Sequence, residues 1–169
     1  MRVFPIALSA AFAVAIVASA GYSQRPDDQI DPRSITLGQQ AQALTAAGRY
    51  SDAIDVLESA LAVDPRNRGA YIGLARVALA QKLPGKAVKL YAEALALEPN
   101  DLNALSGQGE ALVERGAVER AKQNLDRVKG LCKGPCPQAT TLAAAIAKGP
   151  PPQLVTARAP QAVPPKSEN

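Results

Sequence analysis

The chain has 169 residues, of which 47% are hydrophobic and 4% aromatic, with a formal net charge of +4 and no histidine. That length suits one domain with accessory segments, and the apolar share can bury a modest core. The absence of His excludes imidazole bases, Cys-His and Ser-His pairs and His-ligated metals, and the interspersed charge, without a basic stripe or an aromatic run, argues against nucleic acid as a partner.

The first segment, MRVFPIALSAAFAVAIVASA, has Arg2 as its one charge, an apolar run from Ile6 to Val17, and the small residues Ala18, Ser19 and Ala20. This predicts a secretory signal over 1–20 cleaved after Ala20, leaving no stable membrane span. An uncleaved anchor is the alternative, because the apolar run is near the lower length limit for crossing a bilayer. In a Gram-negative bacterium the destination would be the periplasm. Residues 21–33 are polar, contain Pro26 and Pro32, and read as a flexible linker.

From Ser34 the apolar pattern is helical. Leu37, Ala41 and Leu44 precede a break at Ala47-Gly48-Arg49, after which Ala53, Ile54, Leu57, Ala60 and Leu61 follow. The same unit returns with Tyr71, Leu74, Ala78, a turn over Lys82-Leu83-Pro84-Gly85, and then Ala87, Val88, Tyr91, Ala94 and Leu95. A third copy runs through Leu105, Gly109 and Leu112, breaks at Arg115-Gly116, and continues with Ala121, Leu125 and Val128. The breaks at 48, 82 and 116, and the stops at Pro65 and Pro99, recur at 34 residues. A period of that length with two helices per unit is the signature of a solenoid.

These residues resemble the tetratricopeptide repeat family, whose pattern places large and small residues at set positions of two helices and proline at the exit. The second unit carries the resemblance best, with Tyr71, Leu74, Ala75, Ala87, Tyr91 and Pro99. The first offers Leu37, Ala41, Leu44, Ala53, Leu57 and Pro65; the third has Lys133 in place of the proline. Gln40 and Gln108 stand where the family has leucine. The resemblance implies an all-α, right-handed α-solenoid of three helix-turn-helix repeats, 34–67, 68–101 and 102–133. Small residues at Ala41, Ala75 and Gly109, and at Ala53, Ala87 and Ala121, would let the paired helices approach closely. Pro137 opens an apolar helical pattern with Leu142, Ala145 and Ile146, which predicts a capping helix over 134–148. The proline-rich remainder, 149–169, reads as an extended tail.

Little catalytic chemistry is available. Gly107 and Gly109 lie within a helical pattern and are packing residues, not a phosphate loop. Glu110 and Glu114 read as helix-surface acids. Cys132 and Cys136 in LCKGPC are too few for a structural zinc site and are not spaced as C-x-x-C, so no metal and no cofactor is expected. In an exported chain they predict a disulfide that fixes the turn before the cap; a thiol-disulfide activity is the alternative.

By resemblance, the first helix of each repeat lines a concave groove for a peptide or protein partner, and bacterial relatives act in envelope, secretion or pilus assembly. The inward positions are Gly38, Gln42 and Thr45, then Ile72, Arg76 and Leu79, then Ser106, Glu110 and Val113, with Asn103 nearby. Gln42, Arg76 and Glu110, 34 residues apart, should form a ladder. Apolar contact is expected at Ile72, Leu79 and Val113, with Arg76 setting orientation or pairing with Glu110. The clamp by which relatives hold a C-terminal carboxylate needs Lys, Asn and Arg, which Gly38, Gly73, Asn103 and Gly107 do not supply. A self-associating structural role is a further alternative.

Overall fold

A computed structural model describes residues 29–152, so the signal segment, most of the linker and the tail from 153 onward lie outside the described residues. Among the described residues seven helices follow one another: α1 (Pro32–Ala46), α2 (Tyr50–Val63), α3 (Arg68–Ala80), α4 (Pro84–Leu97), α5 (Leu102–Glu114), α6 (Val118–Leu131) and α7 (Pro137–Lys148). There is no strand among the described residues. The helices pack as the hairpins α1–α2, α3–α4 and α5–α6, each stacked on the next, with α7 against α5 and α6. The fold is an all-α helical repeat solenoid, and α7 takes the place that the first helix of a further hairpin would take.

The first helix of each hairpin is capped by a side chain. Asp31 accepts from the Arg33 N–H at 2.8 Å, Asn67 from that of Ala70 at 3.1 Å, and Asp101 from that of Ala104 at 2.8 Å. Each cap satisfies one amide that has no partner within its helix. The same three helices end alike. Residues 48, 82 and 116 are in the left-handed region, with φ of 73°, 60° and 76°. The following amides bond back to Leu44, Ala78 and Leu112 at 2.9, 2.8 and 2.8 Å. This ending favours glycine. Gly48 and Gly116 meet it, and Lys82 adopts it at a steric cost.

Helix α1 starts at Pro32, inside the segment read as linker, and that reading is corrected. The chain is fixed from residue 31 because the buried Asp31 caps the helix and its own N–H donates to Asp64 Oδ2 at 2.9 Å. Asp64 also takes the Arg66 N–H at 3.0 Å and the Arg66 guanidinium at 3.2 Å. Hydrogen bonds from Arg66 and Asp31 hold the Asp64 carboxyl below the usual range, against the opposing effect of burial. The proline was legible as a breaker; its use at the first helical position needs the aspartate before it.

The core lies in two layers. Ala41, Ala53, Leu57, Ala60, Leu74 and Val77 close the first hairpin on the second. Ala75, Ala87, Tyr91, Leu112, Val113 and Ala121 close the second on the third. Ala41, Ala53, Ala75, Ala87 and Ala121 are all fully buried, which is the close helix approach that their size allows. Where the helix between them would still be too thick, a glycine stands. A Cβ at Gly73 would lie 2.7 Å from Leu57 Cδ2, one at Gly109 would lie 2.6 Å from Leu142 Cδ1, and one at Gly107 would strike the Tyr91 ring. At Gln108 the amide donates to the Val88 carbonyl at 3.3 Å and accepts from Asn124 at 3.0 Å, so polar bonds replace the packing of the family's leucine.

Gly107→Ala is expected to lower stability by about 1–3 kcal/mol, because the added methyl would strike the rigid, buried Tyr91 ring and force it to shift. Gly38→Ala, in α1 with nothing within 4 Å of the new methyl, should instead raise stability by up to about 1 kcal/mol through helix propensity. Urea unfolding of the two variants checks both signs.

Candidate functional site

The first helices of the hairpins share one face, and two cavities lie along it. The lower, about 630 Å³, is formed by α1 and α3 with Leu57 at its floor, and its lining includes Ile35, Gly38, Gln42, Thr45, Gly73 and Arg76. The upper, about 340 Å³, lies between α3, α5 and the start of α7, and is lined by Arg76, Leu79, Tyr91, Asn103, Ser106, Gly107, Glu110, Pro137, Gln138 and Thr141. Arg76 lines both, so the two cavities are neighbours along this groove face with a cation between them.

The structure sorts the sequence-derived groove positions. Gln42, Thr45 and Arg76 line the lower cavity, and Arg76, Leu79, Asn103, Ser106 and Glu110 the upper. Ile72 and Val113 are corrected: they are 7% and 3% exposed and belong to the core between the second and third hairpins. Both side chains are apolar and pack with Ala75, Tyr91 and Leu112, while Gly38 and Ser106 in the register of Ile72, and Thr45 and Leu79 in that of Val113, line the cavities. The apolar lining of the groove comes from Ile35 and Ala46 over Leu57 below and from Leu79 above. Ile35 is 46% exposed. Sequence reasoning named Leu79 but missed Ile35, Ala46 and Leu57, and also Tyr91, Gln138 and Thr141. A signal existed in the glycine pair Gly73 and Gly107, each opposite the large residue 16 positions earlier, Leu57 and Tyr91. Glycine there both seats that residue and leaves room beside Arg76.

Charge in the upper cavity is set by burial. Arg76 is not paired with Glu110: no ion pair within 4 Å joins them, and the Glu110 carboxylate takes its hydrogen bond from Ser106 Oγ at 3.3 Å. Burial raises the Glu110 pKa, the Ser106 bond and the Arg76 charge oppose that rise, and Glu114 adds to it. Burial likewise pushes the Tyr91 phenol up to about 12, with the nearby Arg76 guanidinium pulling the other way. The tyrosine therefore stays neutral and can serve as a fixed neighbour for Arg76.

Helix α7 closes the upper end through its first turn. The one hydroxyl proton of Ser106 is shared between Glu110 and the nearer Gln138 carbonyl, at 3.0 Å, and Gln138 Nε2 donates to Asn103 Oδ1 at 3.1 Å. Cys132 and Cys136 are joined in a disulfide with Cα atoms 6.1 Å apart. They are the last cap of α6 and the first cap of α7, so the bridge spans the whole turn between the two helices. Among the described residues there is no free cysteine and no cluster of three or more His, Cys, Asp or Glu side chains that could hold a metal ion.

A family profile described as tetratricopeptide repeat matches residues 39–101 and 83–132, together more than half of the chain. The chain belongs to the tetratricopeptide repeat family. Solved structures with this fold include the first repeat domain of Spaghetti (RPAP3) bound to the HSP90 peptide SRMEEVD, at a TM-score of 0.62 and 24% identity, covering 69% of this chain and 91% of that one. The second such domain of human RPAP3, in complex with the HSP70 peptide SGPTIEEVD, gives a TM-score of 0.61 at 24% identity over 68% of this chain and 95% of the other. The Arabidopsis OM64 repeat domain gives 0.60 at 17% identity over 68% and 92%. At these identities the likeness concerns the fold. No curated protein matches the chain by sequence.

Because the disulfide and the Gln138 contacts are what hold the first turn of α7, reduction should release that helix before the hairpins. Amide hydrogen exchange should rise first at residues 138–148 on adding a reductant, with α3 and α4 unchanged; uniform protection before and after would contradict this.

Proposed function

We propose that this chain is an exported, non-enzymatic scaffold that binds a protein or peptide partner along the face of α1, α3 and α5. The observation that carries the reading is the pair of neighbouring cavities along this face, a larger, more apolar one and a smaller, polar one, with Arg76 lining both. Its dimensions are in the range of ligand sites. Its polar groups are spaced along a line rather than converging on one point, as an extended or helical segment requires and a reacting atom does not. That similar domains of RPAP3 are bound to peptides favours the same use of this face.

Those peptides end in acidic residues, and the groove here suits a different partner. Among the described residues Arg76 is the only cation lining either cavity, and Glu110 faces the upper one, which favours a segment of mixed charge over a strongly acidic tail. An apolar side chain would lie in the lower cavity against Ile35 and Leu57, with Arg76 setting direction. Export rests on the apolar run from Ile6 to Val17 followed by Ala18-Ser19-Ala20, and the disulfide fits an oxidising compartment.

Arg76→Glu and Ile35→Asp change exposed groove residues and should leave helicity and melting as in the wild type. Each is expected to weaken binding of a partner recovered from the native exported fraction by about tenfold or more. Wild-type affinity in both variants would move the site off this face. For export, the mass of the protein purified from its native source should correspond to a chain starting at Gly21; the full-length mass would contradict cleavage.

A further inference from the structure

The two charges of the upper cavity are held apart within one small space. Arg76 lies beside the neutral Tyr91 hydroxyl, while Glu110 accepts from Ser106 one turn earlier on its own helix, α5. Opposite charges on adjacent hairpins would ordinarily close on each other. Here each has a neutral neighbour, and α7 walls the space between them with Gln138, itself bonded to both Asn103 and Ser106. The result is a cation on α3 and an anion on α5 lining one cavity of about 340 Å³. That volume is at the low end for ligand sites and admits a group of one or two residues.

We propose that this cavity is a subsite for a zwitterionic group of one- to two-residue size, its carboxylate on Arg76 and its ammonium on Glu110. A guanidinium presents a planar fork of donors that fits a carboxylate, and a half-buried carboxylate with one protein donor retains acceptor capacity for an ammonium. Pairing both ends at once accounts for why neither charge is spent on the other. Leu79 supplies the apolar wall for the carbon atoms between them. The chemistry has two sources, the ends of a free amino acid or dipeptide, or a lysine and an acid side by side in a partner protein. The inference rests on the groove being the working face, but its test needs no partner.

The test is a titration of the isotopically labelled mature chain, followed by amide NMR, with free alanyl-alanine and with a doubly capped Lys-Glu dipeptide. At least one is expected to shift the amides of Ser106 to Glu110 and Gln138 to Thr141. Binding of the free dipeptide alone assigns the site to free amino ends, and binding of the capped one assigns it to side chains of a partner. For whichever binds, removing the ammonium by acetylation or the carboxylate by amidation should weaken binding by about tenfold, as should Glu110→Gln and Arg76→Gln. No shift with either probe overturns the proposal, as do equal affinities for the neutralised probes, whether or not the variants fold. Dipeptide binding without partner capture would leave this subsite standing and remove the scaffold reading; Arg76-dependent capture without dipeptide binding would do the reverse.

Discussion

The stacking of this solenoid depends on a steric allowance made at a few positions, where a large side chain on one helix enters the space that a missing Cβ leaves on the next. Leu57 sits on Gly73, Tyr91 meets Gly107, and Leu142 sits on Gly109. These contacts set how far each hairpin stands from its neighbour. Alanines at 41, 53, 75, 87 and 121 then bring the two helices of each hairpin together with no exposed surface left on them. Interiors of this density tolerate little change in volume, so the spacing propagates from one repeat to the next. The groove follows from it, because the same glycines that admit Leu57 and Tyr91 also line the two cavities.

The ends of the stack meet a different constraint, since a terminal hairpin has one face with no further repeat to cover it. At the start, Asp31 and Asp64 tie the entering chain to the loop between the first two hairpins. At the other end, α7 covers α5 and α6 and buries Leu142 completely. Because it occupies the place of a first helix, α7 also contributes to the groove, where Gln138 and Thr141 turn an open end into a walled cavity. A helix needed for stability thereby sets how large a group the upper cavity accepts. The disulfide at its entry makes that wall part of the folded domain rather than a loose appendage.

Electrostatics in the groove are those of a partly desolvated surface. Glu110 is half-buried, and its charge is supported by a hydroxyl and a distant guanidinium rather than by a direct ion pair. Such a carboxylate has more to gain from an incoming cation than a fully solvated one, because the cost of removing it from water has already been met in the folded state. Arg76, more exposed and beside a neutral phenol, is the complementary case. Both residues come from the same register of successive repeats, so repetition of a position need not mean repetition of its chemistry.

The repeat period, the helix pairs, the breaks at 48, 82 and 116, and the cap at Pro137 could all be read from spacing alone. Each is a local property, set by backbone sterics and by which residues a helix can bury, and each is restated every 34 residues. The same holds for Gln42, Arg76 and Glu110 as equivalent positions of successive repeats, since register along equivalent helices is linear. What the chain's order of residues did not contain is the packing between hairpins. That packing buried Ile72 and Val113, left Ile35 exposed on the groove face, and brought Gln138 from beyond the third repeat to Ser106 and Asn103. It is decided by how side chains of different size interlock across an interface, Leu57 against Gly73 and Tyr91 against Gly107, and no single helix carries that information.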